Sequence, residues 1–386
     1  MAIRDSFALT GDQRALRDTV RDFLAGQLPS AALRGMLDTG PGYSPELHTR
    51  LAGELGLTGV TVPGEFGGLG LGPAEACVVH TELGRVLYPG PLLASRLTAE
   101  ALLAAGDHAA AGDQAAGRWL PLLAVGSVNG AIAAADKNGL WSAEPGPIRA
   151  HLAPRGWRLY GRCWYVVAAH VAGIIVVSAL AGSVPAMFLV EAGAPGLRSS
   201  AQPGLDLTRR VCVTSFEATP AILLSQGEDA AAALDRVERG LLLATAAEAV
   251  GGIGWCLDAV FGYARNRERP VGSFQEIARA CVDMLAVFQA AEAAVRYAAV
   301  AAADGVTEAP AAARAAALQA GQAYREVTEA AIRLFGGIGP ARKHDALLYY
   351  RRAWSAERLS GVLSPGPRVP GPTQPGRIAR DDQGYA

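Results

Sequence analysis

Val62-Pro63-Gly64-Glu65-Phe66-Gly67-Gly68-Leu69-Gly70 reads as a loop. From Gly64 to Gly72, five of nine residues are glycine, a density that suits turns and defeats helix propagation. Its surroundings make it informative. Upstream, residues 10–27 read as a helix: Thr10 or Asp12 caps it, Leu16, Val20, Phe23 and Leu24 form an apolar stripe, and Pro29 ends it. A second helix is expected over 44–55, with Ser44 as cap and Pro45 at the first helical position. Downstream, helical patterning resumes over 73–87 and 91–105. The glycine loop therefore interrupts a helical region.

Farther out, the pattern changes. Between about 126 and 222, short β-rich runs appear at Trp157–Tyr160, Trp164–Val167, Gly173–Ser178, Ala186–Val190 and Val211–Phe216. Turn residues such as Pro154-Arg155-Gly156 and Ala194-Pro195-Gly196 separate them, which predicts a compact antiparallel sandwich or barrel. From 228 the chain is helical again, in four long segments: 228–265, 273–303, 307–335 and 343–363. Short breaks between them describe an up-down bundle. The expected division is an N-terminal helical domain (1–125), a β-domain (126–227), a helical bundle (228–363) and a tail (364–386). The tail's five prolines and four glycines argue for an extended or disordered end.

Composition narrows the function classes. The chain has 386 residues, 51% of them hydrophobic and 18% charged, enough apolar material for a large core. A net charge of −1 offers no basic footprint for nucleic acid. Cys77, Cys163, Cys212, Cys256 and Cys281 are scattered and odd in number, which argues against a disulfide framework or a zinc site, and no metal site is expected. The start of the sequence lacks the apolar core of a secretory leader, and no uninterrupted apolar run reaches about 18 residues. The expectation is a cytoplasmic protein, neither spanning a membrane nor bound to nucleic acid.

Helices, then a β-domain, then a four-helix bundle resembles the acyl-CoA dehydrogenase family over about residues 10–363. Five stretches in order carry the resemblance: Val62–Gly70; Glu82-Leu83-Gly84-Arg85; Leu205-Asp206-Leu207-Thr208-Arg209; Gly272-Ser273-Phe274-Gln275 with Asp283-Met284; and Phe335-Gly336-Gly337-Ile338-Gly339 with His344-Asp345 and Tyr349–Ala353. The resemblance implies a mostly α fold with a central β-domain. It implies FAD bound between the β-domain and the bundle, in a homodimer or homotetramer. It also implies a glutamate that takes the α-proton of an acyl thioester while the β-hydride passes to the flavin. A weakly acidic α C–H demands a desolvated carboxylate, with hydrogen bonds polarising the thioester carbonyl.

Counted onto this sequence, the commonest position for that glutamate falls on Ser360, and the position used by a subclass falls on Leu241. Glu248, seven residues past Leu241, faces nearly the same side about 10 Å along the helix. It stands in the apolar run Leu241–Val250, where an acid must be paired or functional. It is therefore both the candidate base and a candidate structural partner of an arginine. Glu238 sits in the charged stretch Asp235–Arg239, which reads as a solvated face, and His344-Asp345 is a further option with a structural reading beside it. For the cofactor, the resemblance implies Trp164 beside the flavin ring, with Val166 where relatives carry a hydroxyl. Arg267, Gln275, Gly336, Gly337 and Gly339 are implied as phosphate and adenosine contacts, and Arg333 stands where relatives carry a glutamine, with a planar fork that suits pyrophosphate oxygens. Three residues are missing after Arg267 relative to the family pattern, and the loop Ala134–Gly139 lacks the family's flavin motif.

Three functions stay open at this point. One is FAD-dependent α,β-desaturation of an acyl thioester, carried on coenzyme A or on a carrier protein. Another is a degenerate homologue that serves as partner subunit of a competent dehydrogenase in a hetero-oligomer. The third is an enzyme reusing the cavity for non-redox biosynthetic chemistry such as cyclisation.

Overall fold

The structure, a computed structural model, describes residues 8–106, 110–135, 147–265, 274–339, 341 and 344–361. The chain opens with α1 (Gly11–Gln27), where Thr10 and Gln13 cap each other's backbone N–H groups. Pro29 does more than end α1. It is the N-cap of a short helix that the sequence pattern did not reveal, α2 (Ser30–Leu37). In α3 (Pro45–Gly53), Ser44 Oγ accepts from the Leu47 N–H. The glycine loop follows as two 3₁₀ turns, Leu57–Gly59 and Gly64–Phe66. Gly67 and Gly70 adopt φ of 79° and 63°, which only glycine adopts freely. At Gly68 a Cβ would lie 2.1 Å from the Val62 carbonyl oxygen. The loop leads into α4 (Pro73–Arg85), α5 (Leu92–Gly106) and α6 (Ala110–Ala124).

Seven strands follow: β1 (Gly130–Ala133), β2 (Arg149–Ala153), β3 (Gly156–Val167), β4 (Ile174–Ala181), β5 (Val184–Glu191), β6 (Leu197–Ala201) and β7 (Val211–Gln226). Pairings β4–β2–β3–β7–β5 close on themselves through β4–β5, so the ring leaves few free edges. The barrel is not purely antiparallel, because β1 and β2 both pair parallel with β4. The two runs expected at 157–160 and 164–167 are one strand, β3, broken in register against β7 between Leu159 and Gly161 and between Cys163 and Val166. Phe188, Phe216, Cys163 and Ile148 fill the interior.

The bundle comprises α7 (Glu228–Arg265), α8 (Phe274–Ala303), α9 (Ala309–Phe335) and α10 (Ala346–Ser360). Alanine-rich faces let α7, α8 and α9 approach closely, and Tyr324 is buried against Gly252 of α7. α7 is central, touching α4, α5, α8, α9 and α10. By length and hydropathy α7 and α8 could each cross a membrane, but 89% of the apolar window of α7 is buried within the molecule. All five cysteines are buried and none is in a disulfide, and no metal-binding cluster occurs among the described residues.

Candidate active site

Leu241 and Ser360, far apart in sequence, are both buried, on α7 and α10, two helices that pack together along one seam. Leu241 shares an apolar cluster with Leu359, the neighbour of Ser360, and with Leu93 and Leu97 of α5 and Met187 and Leu189 of β5. Ser360 Oγ donates to the Glu357 carbonyl at 3.0 Å. Neither position offers a carboxylate. Seven residues forward of Leu241 on α7 stands Glu248, and eight residues before Ser360 on α10 stands Arg352. Those two side chains are paired at 3.2 Å.

Glu248 is the centre of a buried charge network. Its Oε2 accepts from Arg209 and from Arg352, and its Oε1 faces His80 Nδ1 at 3.2 Å. Arg352 pairs with Asp206 at 2.7 Å and donates to the Thr208 hydroxyl and carbonyl at 2.6 and 2.9 Å. Behind His80 stands Arg96, whose Nε donates to His80 Nε2 at 3.0 Å, while its other nitrogens reach Glu100 at 2.7 Å and the Gly240 carbonyl at 2.9 Å. Arginine can only donate. His80 Nε2 must therefore accept, which places the imidazole proton on Nδ1, directed at Glu248. Burial alone would raise the Glu248 carboxyl, but the charge of Arg209, the His80 hydrogen bond and the charge of Arg352 outweigh it and hold the group at about 2. His80 is pushed down from its ordinary value, first by burial, and stays neutral.

Of the two roles the sequence left open for Glu248, this geometry favours the structural counter-charge, since both oxygens are engaged and the group is a weak base. Glu238 departs from expectation. It is buried, not solvated, and pairs with Arg314 at 2.9 Å. Asp345 is paired with Arg34 at 2.6 Å, and the His344 ring packs on Phe335. Of the network, only Glu248 had been singled out as a site residue. Arg352 did carry a signal, since it lies in the Tyr349–Ala353 stretch of the family resemblance, and His80 follows the apolar run Ala76–Val79.

The candidate cofactor residues occupy two separate places. Trp164 is half-buried in β3, and Arg162 lies 5.6 Å over its ring. The register break beside it forces Tyr165 to φ 58°, a left-handed conformation in a bulge that re-aims the neighbouring side chains. Val166 is buried and apolar. At the far end of α9, Arg333 is exposed, Gly336 takes φ 63°, and a Cβ on Gly337 would meet nothing within 4 Å. Gly339 has a structural reason to be glycine, because its Cβ would lie 2.4 Å from the Ile332 carbonyl oxygen. Gln275 is exposed at the start of α8. Arg267, residues 136–139 and the tail 364–386 lie outside the described residues. An exposed guanidinium, an exposed amide and an open glycine turn are a donor set suited to phosphate oxygens. These residues fit the pyrophosphate of FAD, and Trp164 offers a ring face, while Val166 contributes no hydroxyl.

The two family domains described as Acyl-CoA dehydrogenase, N-terminal domain and C-terminal domain match residues 10–127 and 236–362. Acyl-CoA dehydrogenase IpdE2 of Mycobacterium tuberculosis (strain ATCC 25618 / H37Rv) is 32% identical over 354 residues, which cover 90% of this chain and 92% of that protein. Among solved structures, the Tcur3481-Tcur3483 steroid ACAD aligns with a TM-score of 0.78 at 27% identity, over 90% of this chain and 92% of that one. The ChsE4-ChsE5 complex from Mycobacterium tuberculosis shares the fold, with a TM-score of 0.81 at 24% identity over 92% and 94% of the two chains. With both domains matched and a relative alike over nine-tenths of its length, the chain belongs to the acyl-CoA dehydrogenase family of flavoprotein oxidoreductases.

Proposed function

We propose that this chain acts in FAD-dependent α,β-desaturation of an acyl thioester. The observation that carries the reading is the donor set at the end of α9, Arg333 with the open Gly336-Gly337 turn. When bound, FAD supplies the acceptor for the hydride of the β-carbon. Arg333, Gln275 and the backbone of Gly337 would hold its phosphates, and Trp164 would flank its ring. Leu93, Leu97, Met187, Leu189 and Leu241 belong to one buried apolar cluster, and an acyl group bound against it would be shielded from water, which strengthens electrostatic contacts. Glu248 fixes Arg209 and Arg352 at the far end of that seam. The relatives named as dehydrogenases speak for redox chemistry over a cyclisation or elimination.

A mixed oligomer is the second reading, and a specific observation favours it: neither Leu241 nor Ser360, the two positions counted for the base, offers a carboxylate. Here the chain is one half of an assembly with a homologue that carries the base, and the two-part names of the Tcur3481-Tcur3483 and ChsE4-ChsE5 structures support it. A cytoplasmic location belongs to both readings.

The visible absorbance spectrum of the purified chain, with and without added FAD, tests the proposal. A flavin band near one per chain, bleached by acyl thioesters, is expected if the chain works alone. A band that forms only with a co-expressed homologue, at one per two chains, selects the mixed oligomer. No flavin under either condition removes both readings.

A further inference from the structure

We infer that Arg209 reads a neutral acceptor oxygen, a ketone carbonyl, on the acyl part of the substrate; the inference rests on the acyl-thioester reading above. A cavity of about 20 Å³ opens where the β-domain meets the N-terminal helices, lined by Tyr43, Tyr88, Leu93, Val167, Arg209 and Glu248. That is room for one water-sized group. Arg209 is buried, with one nitrogen on Glu248, but its Nη1 has no hydrogen-bond partner among the described residues. A buried charged donor without an acceptor is costly, and such groups are rare unless something else satisfies them.

The other polar groups of the cavity are engaged within the protein. Tyr88 OH meets His48 Nδ1 at 2.9 Å, and Tyr43 OH accepts from Asn129 Nδ2 at 3.2 Å. His170 Nε2 donates to the Pro41 carbonyl at 2.9 Å, and half-buried Arg210 donates to the carbonyls of Leu37 and Thr39 at 3.1 and 2.6 Å. Position and charge then define the ligand. The cavity includes Glu248, about 10 Å along α7 from Leu241, which is where the distal part of an acyl chain reacting at the Leu241–Ser360 level would end. Among the buried side chains around it the charges already match, Arg209 and Arg352 against Glu248 and Asp206, with Arg96 against part-buried Glu100, while half-buried Arg210 is committed to the carbonyls of Leu37 and Thr39. A carboxylate would add an unmatched buried charge, whereas a carbonyl oxygen supplies the missing acceptor without one.

Calorimetric binding of 3-thia acyl-CoA analogues to the flavin-loaded protein separates recognition from turnover, because sulfur replaces the β-carbon. Three probes suffice: 3-thiaoctanoyl-CoA, its 7-oxo derivative, and the analogue ending in a carboxylate. The 7-oxo analogue should bind about tenfold tighter than the alkyl one, and Arg209→Lys, which keeps the charge opposite Glu248, should bring that ratio near one. Equal affinities in the unmodified protein, tightest binding of the carboxylate, or a preference that survives Arg209→Lys each overturns the inference while leaving the thioester reading intact. Binding of none of the three overturns both. Should Arg209→Lys not fold, the comparison of the three probes on the unmodified protein still decides.

Discussion

Glu248 is a carboxylate that its neighbours hold in the charged state, and this has a thermodynamic consequence. Its folded-state value of about 2 lies below the ordinary 4.5. A depressed carboxyl contributes stability that is fully present above the unfolded value and lost as pH falls through the folded one. The protein should therefore lose stability between about pH 4.5 and pH 2 as Glu248 takes up a proton. Glu248→Gln leaves Arg209 and Arg352 buried with only Asp206 between them. Denaturant unfolding at neutral pH should show a cost of about 3–5 kcal/mol for the variant, and its acid limb should be flatter. A variant as stable as the unmodified chain would mean that the network contributes nothing. The same residue shows why sequence alone located only part of the site. Counting from the last glycine signature found Ser360, counting back from Tyr263 and Arg267 found Leu241, and Glu248 stands seven residues on from Leu241, because such offsets survive in one dimension. The partners of Glu248 lie 168, 39 and 104 residues away, at His80, Arg209 and Arg352, and no local pattern pairs them. Glu238 was misplaced on a solvated face for the same reason: its partner Arg314 is 76 residues off.

At the scale of elements, α4 and α7 determine where that network sits, and glycine sets their distance. A Cβ on Gly84 would lie 2.1 Å from the backbone oxygen of Glu248, and one on Gly251 would lie 1.9 Å from that of Thr81. Both obstacles are backbone, so a methyl group cannot be absorbed by a rotamer change. Gly251→Ala should destabilise by about 1–3 kcal/mol through overpacking. Gly262→Ala, on the same helix with nothing within 4 Å, should gain up to about 1 kcal/mol from helix propensity. Urea midpoints for the two variants test the sign as well as the size, and midpoints moving the same way would remove close packing as the cause. The long bundle helices were legible because length and apolar patterning agree over seven or more turns. α2 was not, because Pro29 reads equally as the end of one helix and the start of the next. The parallel pairing of β1 and β2 with β4 was hidden too, since alternation along a strand says which face is buried and nothing about the direction of its neighbour.

At the scale of the whole molecule, α8 carries an unmet demand. Its sequence is as apolar as a core helix, yet only 33% of its most apolar window is buried. Val282 is 65% exposed, Tyr297 48% and Leu285 39%. A contiguous apolar face of this kind marks an association surface, and the oligomer proposed above supplies its occupant, a second chain of the same fold. In keeping with that, Trp164 and Arg333 lie on β3 and α9, which share no extensive packing among the described residues. Native mass spectrometry of the purified protein should find a dimer or a larger even-numbered assembly, alone or with a co-expressed homologue. Val282→Glu, which sets a charge at the most exposed apolar position of that face, should shift the mass toward the monomer. The same variant should lower flavin occupancy if the cofactor contacts are completed across chains, and leave it unchanged if one chain holds FAD by itself. A chain that is monomeric at micromolar concentration, with flavin bound at full occupancy, would mean that the apolar face of α8 has some other partner and that the cofactor site is complete without assembly.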